Sequence, residues 1–473
     1  MTASGTARPT AVGRGAAPLP PRARLAATAT RSVNTLSRTL RVGSGTVLGG
    51  RAGLAVDPGL LPRLAAGRPV ALVSGTNGKT TTTRLLAVAL ADDGQVVTNG
   101  TGANMPAGHV AALVAGSRSA PVVLEVDESY LPGLVRSVGP AAVVLLNLSR
   151  DQLDRTNEVR MLANRWRQGL AAATGYADQT TVVANADDPL VAWAAAAAPR
   201  VVWVAAGLGW RLDAVGCPAC EGRITFVDPV DGAGGAADGP GEAGGAGGPS
   251  GGWSCACGFA RPPVDVWLEG GSRTAGDGRT SGGDRTGGEW KSVACWSDGR
   301  RLPLTLGIPG WFNRANAALA AAGAEAMGVP AERALTAMAT VGEVAGRFTV
   351  RPIAGVPTRL MLAKNPAGWQ ELLGLVRADA GPVVVGINAR IADGRDPSWL
   401  WDVPFEQLAG RPVVATGERC LDLSVRLRYG GVAHTTVRDT VEAVRIAARM
   451  ATAGRPVEFV GNYTAFADLL ARR

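Results

Sequence analysis

Histidine is almost missing from this chain, with two residues in 473, His109 and His434. That leaves little from which to build a Cys–His nucleophile pair. Cysteines number six; four fall in two tight pairs, which argues against a disulfide framework and for a metal site in a reducing compartment. No run reaches the roughly 20 apolar residues a spanning helix requires, and no apolar signal-peptide core follows the N-terminus, so the expected compartment is the cytoplasm. Acidic residues are missing before Asp57, whereas Arg8, Arg14, Arg22, Arg24, Arg31, Arg38, Arg41 and Arg51 precede it. Residues 1–54 therefore read as a basic arm: a solvated tail, a weak contact with an anionic membrane face, or a segment of transit-peptide composition.

What is present is a chain of globular composition, 46% hydrophobic and 18% charged, long enough for two or three domains. A net charge of +9 favours an anionic partner, whether nucleic acid, nucleotide or membrane. Apolar strands are expected at 69–74, 121–126, 141–147 and 179–185, separated by helical stretches, the first of them from Thr81 to about Leu90. That rhythm belongs to a parallel α/β sheet whose strand ends hold the ligand. From Cys217 to Gly288 the composition changes and an insertion is expected, with Gly-rich mobile loops at 232–252 and 270–288. A helix is expected at 317–327. After a crossing at 347–352, a second α/β unit is expected, with strands at 382–388, 412–416 and 457–462 and a helix at about 440–450.

Gly75-Thr76-Asn77-Gly78-Lys79-Thr80 lies between the first strand and its helix. There, backbone amides and the helix dipole can surround phosphate oxygens. The glycines let the backbone approach the anion, Lys79 can reach the β- and γ-phosphates, and the Thr80 hydroxyl is placed to ligate Mg²⁺. Two residues, rather than four, separate Gly75 from Gly78, so the loop is a shortened relative of the general phosphate loop. Glu125, Asp127 and Glu128 close the next strand, where a carboxylate can hold magnesium.

Cys217-Pro-Ala-Cys220 and Cys255-Ala-Cys257 supply four thiolates, enough for a closed, structural Zn²⁺ site. Cys295 and Cys420 are expected to be small core residues. A zinc ribbon on a basic protein raises a nucleic-acid-binding ATPase as a rival. The acids between the pairs, Asp228, Asp231, Asp238 and Glu242, would repel phosphates, and no nucleic-acid partner is expected.

Taken in order, these residues resemble the Mur ligase superfamily. The loop reads as that family's G-T-x-G-K-T, and Glu125 falls at its magnesium-binding glutamate. Asn147-Leu148-Ser149 with Asp151-Gln152-Leu153-Asp154-Arg155 is similar to the segment after its third strand, and Asn185-Ala186-Asp187-Asp188-Pro189 is similar to its N-A-D-D-P. The resemblance implies that Asn313 and Asn316 lie near adenine and that Arg347, after Gly346, reaches the ATP phosphates. It implies an α/β fold: a central phosphate-loop ATPase domain at 55–345 carrying a four-cysteine zinc-ribbon insertion at about 214–262, then a Rossmann-like α/β domain at 346–473.

Three features resemble an amidating branch of the superfamily rather than its amino-acid-adding members. They are the four-cysteine insertion, the segment Lys364 to Trp369, and Ala392-Asp393-Gly394-Arg395-Asp396-Pro397-Ser398-Trp399-Leu400-Trp401-Asp402. That branch uses ATP and Mg²⁺ to amidate the α-carboxylate of D-glutamate in the stem peptide of lipid II. Its ammonia comes from a separate, GatD-like glutaminase. Asp396 would correspond to the aspartate lent to that partner's Cys–His pair, with Asp393 and Asp402 as close alternatives. Gln152 stands where many superfamily members have a metal-binding histidine, and no lysine occurs from Thr156 to Gly169, so a second metal site lacks an obvious counterpart. An amino-acid-adding ligase of the Mur or folylpolyglutamate type remains the alternative.

Overall fold

The computed structural model describes residues 18–40, 47–91, 94–100, 102–150, 159–172, 179–227, 252–270, 290–343, 348–377, 381–451 and 456–471. Three helices lead, α1 (Pro21–Thr39), α2 (Val47–Val56) and α3 (Leu60–Ala65). An alternating run follows: β1 (Val70–Ser74), α4 (Lys79–Leu90), β2 (Val97–Thr98), α5 (Pro106–Ala115), β3 (Val122–Glu125), α6 (Leu131–Val138), β4 (Ala142–Leu145), α7 (Val159–Ala171), β5 (Thr181–Asn185), α8 (Pro189–Ala195) and β6 (Val201–Ala205). Then come β7 (Ile224–Val227), β8 (Gly252–Cys255), β9 (Val266–Glu269), β10 (Trp290–Trp296), β11 (Arg301–Leu306), α9 (Trp311–Ala326) and α10 (Ala331–Met338). The last part comprises β12 (Phe348–Ile353), β13 (Val356–Leu362), α11 (Pro366–Arg377), β14 (Val383–Gly386), β15 (Val413–Thr416), α12 (Cys420–Tyr429), β16 (His434–Thr436), α13 (Thr440–Met450), β17 (Val457–Gly461) and α14 (Tyr463–Ala471).

Among the described residues the first sheet has nine strands in the order β11-β10-β9-β6-β5-β4-β1-β3-β2. From β2 to β9 every pairing is parallel, and β10 and β11 add an antiparallel edge. Its central strands read VALVS, VVLE, AVVL and TVVAN and are buried throughout, as expected of parallel strands covered on both faces. On one face Leu85, Leu86 and the alanine-rich α9 pack against Val73, Val144 and Val183. On the other, Leu60, Val110, Leu134, Trp166 and Val191 pack against Leu72, Leu124 and Val143. Because chain order reverses on either side of β1, a crevice opens at its carboxyl end, where the loop 75–78 lies.

The second sheet has the order β12-β13-β17-β14-β15-β16, parallel apart from the β12–β13 hairpin. That hairpin occupies the stretch expected as a crossing. Its core includes Trp369, fully buried and stacked on Trp399 at 6.2 Å between centroids.

The structure departs from the expected basic arm. Ala23, Ala26, Ala27 and Thr30 recur at helical spacing and are buried, so α1 is a packed helix and part of the core. Gly49, Gly50 and Gly53 of α2 let it approach closely: a Cβ on Gly50 would lie 1.8 Å from the Ala107 carbonyl oxygen, and one on Gly53 2.1 Å from Thr30 Oγ1. Arg8, Arg14 and Arg41 lie outside the described residues. A second departure concerns the wider insertion read from composition, 217–288: β9 pairs with β6 and belongs to the main sheet, so the chain is back in the sheet by Val266, after the four-cysteine insertion expected at about 214–262. The Gly-rich tracts lie outside the described residues except at Gly252, which opens β8, and Gly270. No helix among the described residues is long and apolar enough to cross a membrane.

Candidate active site and cysteine cluster

The loop after β1 is shaped by two glycines in conformations that side chains resist. Gly75 has φ +147° and Gly78 φ +86°. A Cβ on Gly75 would lie 2.8 Å from Leu146 Cβ, and one on Gly78 only 2.6 Å from Asn316 Oδ1. Asn147 clamps the turn between them, accepting the Asn77 N–H at 2.9 Å and donating to the Asn77 carbonyl at 3.1 Å. Thr76 is held in the same way, its hydroxyl donating to the Ser149 carbonyl and accepting the Ser149 N–H, both at 3.0 Å. The turn that leads into α4 is thus fixed in place, and with it the amides at the helix start.

Lys79 is buried and folded back on the loop. Its Nζ donates to the Gly75 carbonyl at 2.5 Å and pairs with Glu128 Oε1 at 2.8 Å. Thr80 Oγ1 donates to Glu125 Oε2 at 2.9 Å. Glu125 is itself positioned by Asn99, which accepts its N–H and donates to its carbonyl, each at 2.8 Å, and by Asn104, 3.5 Å from its other carboxylate oxygen. Buried His109 also bonds the Glu125 carbonyl through Nε2 at 2.8 Å. Burial holds its imidazole below the usual range, hence neutral. The three acids after β3 therefore have separate tasks: Glu125 faces Thr80, Glu128 holds Lys79, and Asp127 caps the Ser129 N–H at 3.1 Å. A hydroxyl beside a buried carboxylate is a hard oxygen donor set that suits Mg²⁺.

Asn316, on α9, lies against Gly78 and so touches the loop itself. Asn313, a turn earlier, donates to the Pro309 carbonyl at 2.6 Å. Arg347 lies outside the described residues, as do Gly346 and the 151–158 segment with Gln152. The sequence reading missed Asn99, Asn104 and the part played by Asn365. Fully buried at the start of the second α/β unit, Asn365 donates to Asn77 Oδ1 at 3.1 Å and so couples that unit to the phosphate loop. Only the short Val96-Val97-Thr98 stretch before it marks Asn99 in the sequence.

The three candidate aspartates of the second unit separate by environment. Asp393 is buried and accepts both the N–H and the hydroxyl of Thr464. Asp402 faces Arg150 Nη2 at 3.6 Å, and Arg150 in turn binds Asp213 at 2.6 Å. Asp396 is exposed, with one oxygen accepting the Ser398 N–H at 2.9 Å. Trp399 is core, whereas Trp401 is exposed and meets Tyr429 edge-on. His434 bonds Ser424 and the Val432 carbonyl; among the described residues neither histidine bonds a cysteine, and Cys295 and Cys420 are buried.

Cys217, Cys220, Cys255 and Cys257 converge, with all four sulfurs within 4.8 Å of one another. Cys217 and Cys257 are 3.7 Å apart and Cys220 and Cys255 3.5 Å, too long for disulfides and close to the roughly 3.8 Å edge of a tetrahedron with 2.3 Å zinc–sulfur bonds. The Phe259 N–H pulls the Cys257 thiol down, while burial pushes Cys217 up and the neighbouring sulfurs push Cys220 up, as expected of thiols crowded together without a cation between them. The antiparallel β7–β8 pair carries the cluster. It docks on the Asn185–Pro189 turn, where the Trp253 indole donates to the Ala186 carbonyl at 3.0 Å and Arg261 binds Asp187 at 2.6 Å. Asp188 caps α8 through the Leu190 and Val191 amides and also accepts the Leu148 N–H, tying that turn to the strand beside the phosphate loop.

Comparison with known proteins agrees with this geometry. Residues 73–207 match the Mur ligase middle domain, and residues 362–466 match the MurT ligase C-terminal domain. The fold is similar to MurF from Acinetobacter baumannii, with a TM-score of 0.61 at 15% identity over 89% of this chain and 80% of that one. The chain belongs to the Mur ligase superfamily, ligases with an α/β fold. It is 28% identical over 448 residues to the Staphylococcus aureus protein named lipid II isoglutaminyl synthase (glutamine-hydrolyzing) subunit MurT, covering 90% of this chain and 92% of that one. The Streptococcus pneumoniae protein of the same name is 27% identical, covering 92% and 94%. Within the superfamily, then, this is a MurT-type ligase.

Proposed function

We propose that the chain is the ATP-binding subunit of a lipid II isoglutaminyl synthase. It amidates the α-carboxylate of D-glutamate in the lipid II stem peptide, with ammonia supplied by a GatD-like glutaminase. The observation that carries this reading is the phosphate loop at the sheet's switch point, coupled through Asn365 to a MurT-type second domain. We divide the chain into an ATP-binding unit ending near residue 345 and a C-terminal unit from 346, with the N-terminal helices assigned to the first.

The loop amides and Lys79, drawn from Glu128, bind the phosphates, with Arg347 and the α9 asparagines completing the nucleotide site. Thr80 and Glu125 would hold Mg²⁺, which neutralises charge on the transferring phosphoryl group. A carboxylate oxygen of the substrate attacks the γ-phosphorus and ADP leaves. Ammonia then attacks the acyl carbon and phosphate leaves, giving the amide. The coupled C-terminal domain excludes water that would otherwise hydrolyse the acyl phosphate. Asp396, exposed where Asp393 is buried and Asp402 faces Arg150, is the acid available to orient a histidine of the partner's Cys–His pair. The cysteine cluster holds structural zinc with no open position, and the protein works in the cytoplasm at the inner membrane face.

Amidation of lipid II by the purified chain, first with free ammonia and then with glutamine plus the glutaminase, tests the assignment. Lys79→Ala should abolish both reactions. Asp396→Asn should spare the ammonia-driven reaction and abolish the glutamine-driven one; equal loss in both removes its assigned role. Addition of a free amino acid in place of ammonia would mark an amino-acid-adding ligase instead.

A further inference from the structure

Helices α1 and α2 bury one face in the core and leave another uncovered. On α1 and at its C-cap, Leu25, Leu36 and Leu40 are 63%, 58% and 62% exposed. At about 100° per residue they lie within about 60° of one another around the helix. Leu48, at the start of α2, is 45% exposed, and the Gly49 N–H donates to Asn34 Oδ1 at 3.1 Å, which sets the beginning of α2 beside the end of α1. Leu25, Leu36 and Leu40 thus form an apolar edge along α1, and Leu48 adds a separate exposed leucine on α2.

The opposite flank of α1 carries Arg24, Arg31 and Arg38, within about 40° of one another, with Thr28, Ser32 and Thr35 between the two flanks. Arg51 is exposed on α2. Arg31 and Arg38 bond backbone carbonyls of Val114 and Asn34, contacts that orient a guanidinium without cancelling its charge. Among the described residues none of these four arginines has a carboxylate partner, and no acid occurs in the sequence before Asp57.

We infer that the outer face of the α1–α2 hairpin is a docking surface for an anionic lipid bilayer. Leucines on one flank can enter the acyl boundary while arginines on the other reach headgroup phosphates, the arrangement of an interfacial helix. A nucleic acid or an acidic protein would engage the arginines and leave the leucines in water, so the pairing of the two flanks favours lipid. The surface deepens the proposed reading of a lipid-linked substrate, on which its biological sense rests. Its test needs neither ATP nor substrate.

The full chain is sedimented with vesicles of phosphatidylcholine alone and of phosphatidylcholine with phosphatidylglycerol. Binding is expected only with the anionic vesicles and should fall with added salt. Arg38→Glu/Arg51→Glu should weaken it about tenfold or more, and Leu36→Ser/Leu40→Ser about tenfold, with melting temperature and ATP binding unchanged. Equal binding to neutral vesicles, undiminished binding of the leucine variant, or retention on RNA in place of vesicles would each overturn the inference. Vesicle binding retained without amidation would count against the proposed reaction and leave this surface standing.

Discussion

Substituting alanine at Gly78 tests the geometry of the phosphate loop most directly. At φ +86° an alanine meets a left-handed cost of about 1–2 kcal/mol. Its Cβ would also lie 2.6 Å from Asn316 Oδ1, forcing that buried amide aside for about a further 1–3 kcal/mol. Asn316→Ala removes the obstructing atoms and leaves only the left-handed cost. Alanine at Gly78 should therefore destabilise the Asn316→Ala protein about 1–3 kcal/mol less than it destabilises the parent. Urea unfolding of the four proteins measures the difference, and calorimetry with Mg-ATP measures its consequence. Gly78→Ala should raise the dissociation constant about tenfold or more, because the loop amides no longer sit where they meet the phosphates. Equal costs in the two backgrounds, to within about 0.5 kcal/mol, would mean that Asn316 does not crowd Gly78 and would refute the packing argument.

The cysteine cluster should hold one zinc per chain by elemental analysis; prolonged chelation, or Cys217→Ser, should lower the melting temperature by loosening the β7–β8 pair from the Asn185–Pro189 turn. Burial pushes Asp188 up to about 6 from 3.8, so its contribution to stability is full below 3.8 and is lost as pH rises through 6, amounting to about 3 kcal/mol. Asp188→Asn should flatten that part of the stability profile between pH 4 and 7, and an unchanged slope would remove Asp188 as its source. Asn365→Ala severs a direct link between the second domain and the loop, and should lower the amidation rate more than it weakens ATP binding, as separate rate and calorimetric measurements would show.

Chemistry carried by local spacing was legible in the sequence. A glycine-bracketed loop between an apolar strand and a helix can adopt few conformations, so Gly75 to Thr80 announced the tight turn that the structure shows between β1 and α4. Two cysteine pairs announced a cluster because few other uses suit that spacing. Buried parallel strands were also visible, because two covered faces demand continuous apolar runs such as those of β1, β3, β4 and β5. Composition misled at the N-terminus, where arginine density hid the small-residue stripe of Ala23, Ala26, Ala27 and Thr30 that packs α1.

Tertiary structure alone decided what depends on residues distant in the chain. Asp393, Asp396 and Asp402 are equivalent as letters, and only packing buries the first against Thr464, exposes the second and turns the third towards Arg150. Likewise the sequence assigned Asn316 a place by resemblance, and the fold set it on Gly78. Local backbone preference and hydrophobic pattern act between near neighbours and can be read along the chain. Burial, and the partner that each polar side chain finds, exist only once the sheets have brought distant segments together.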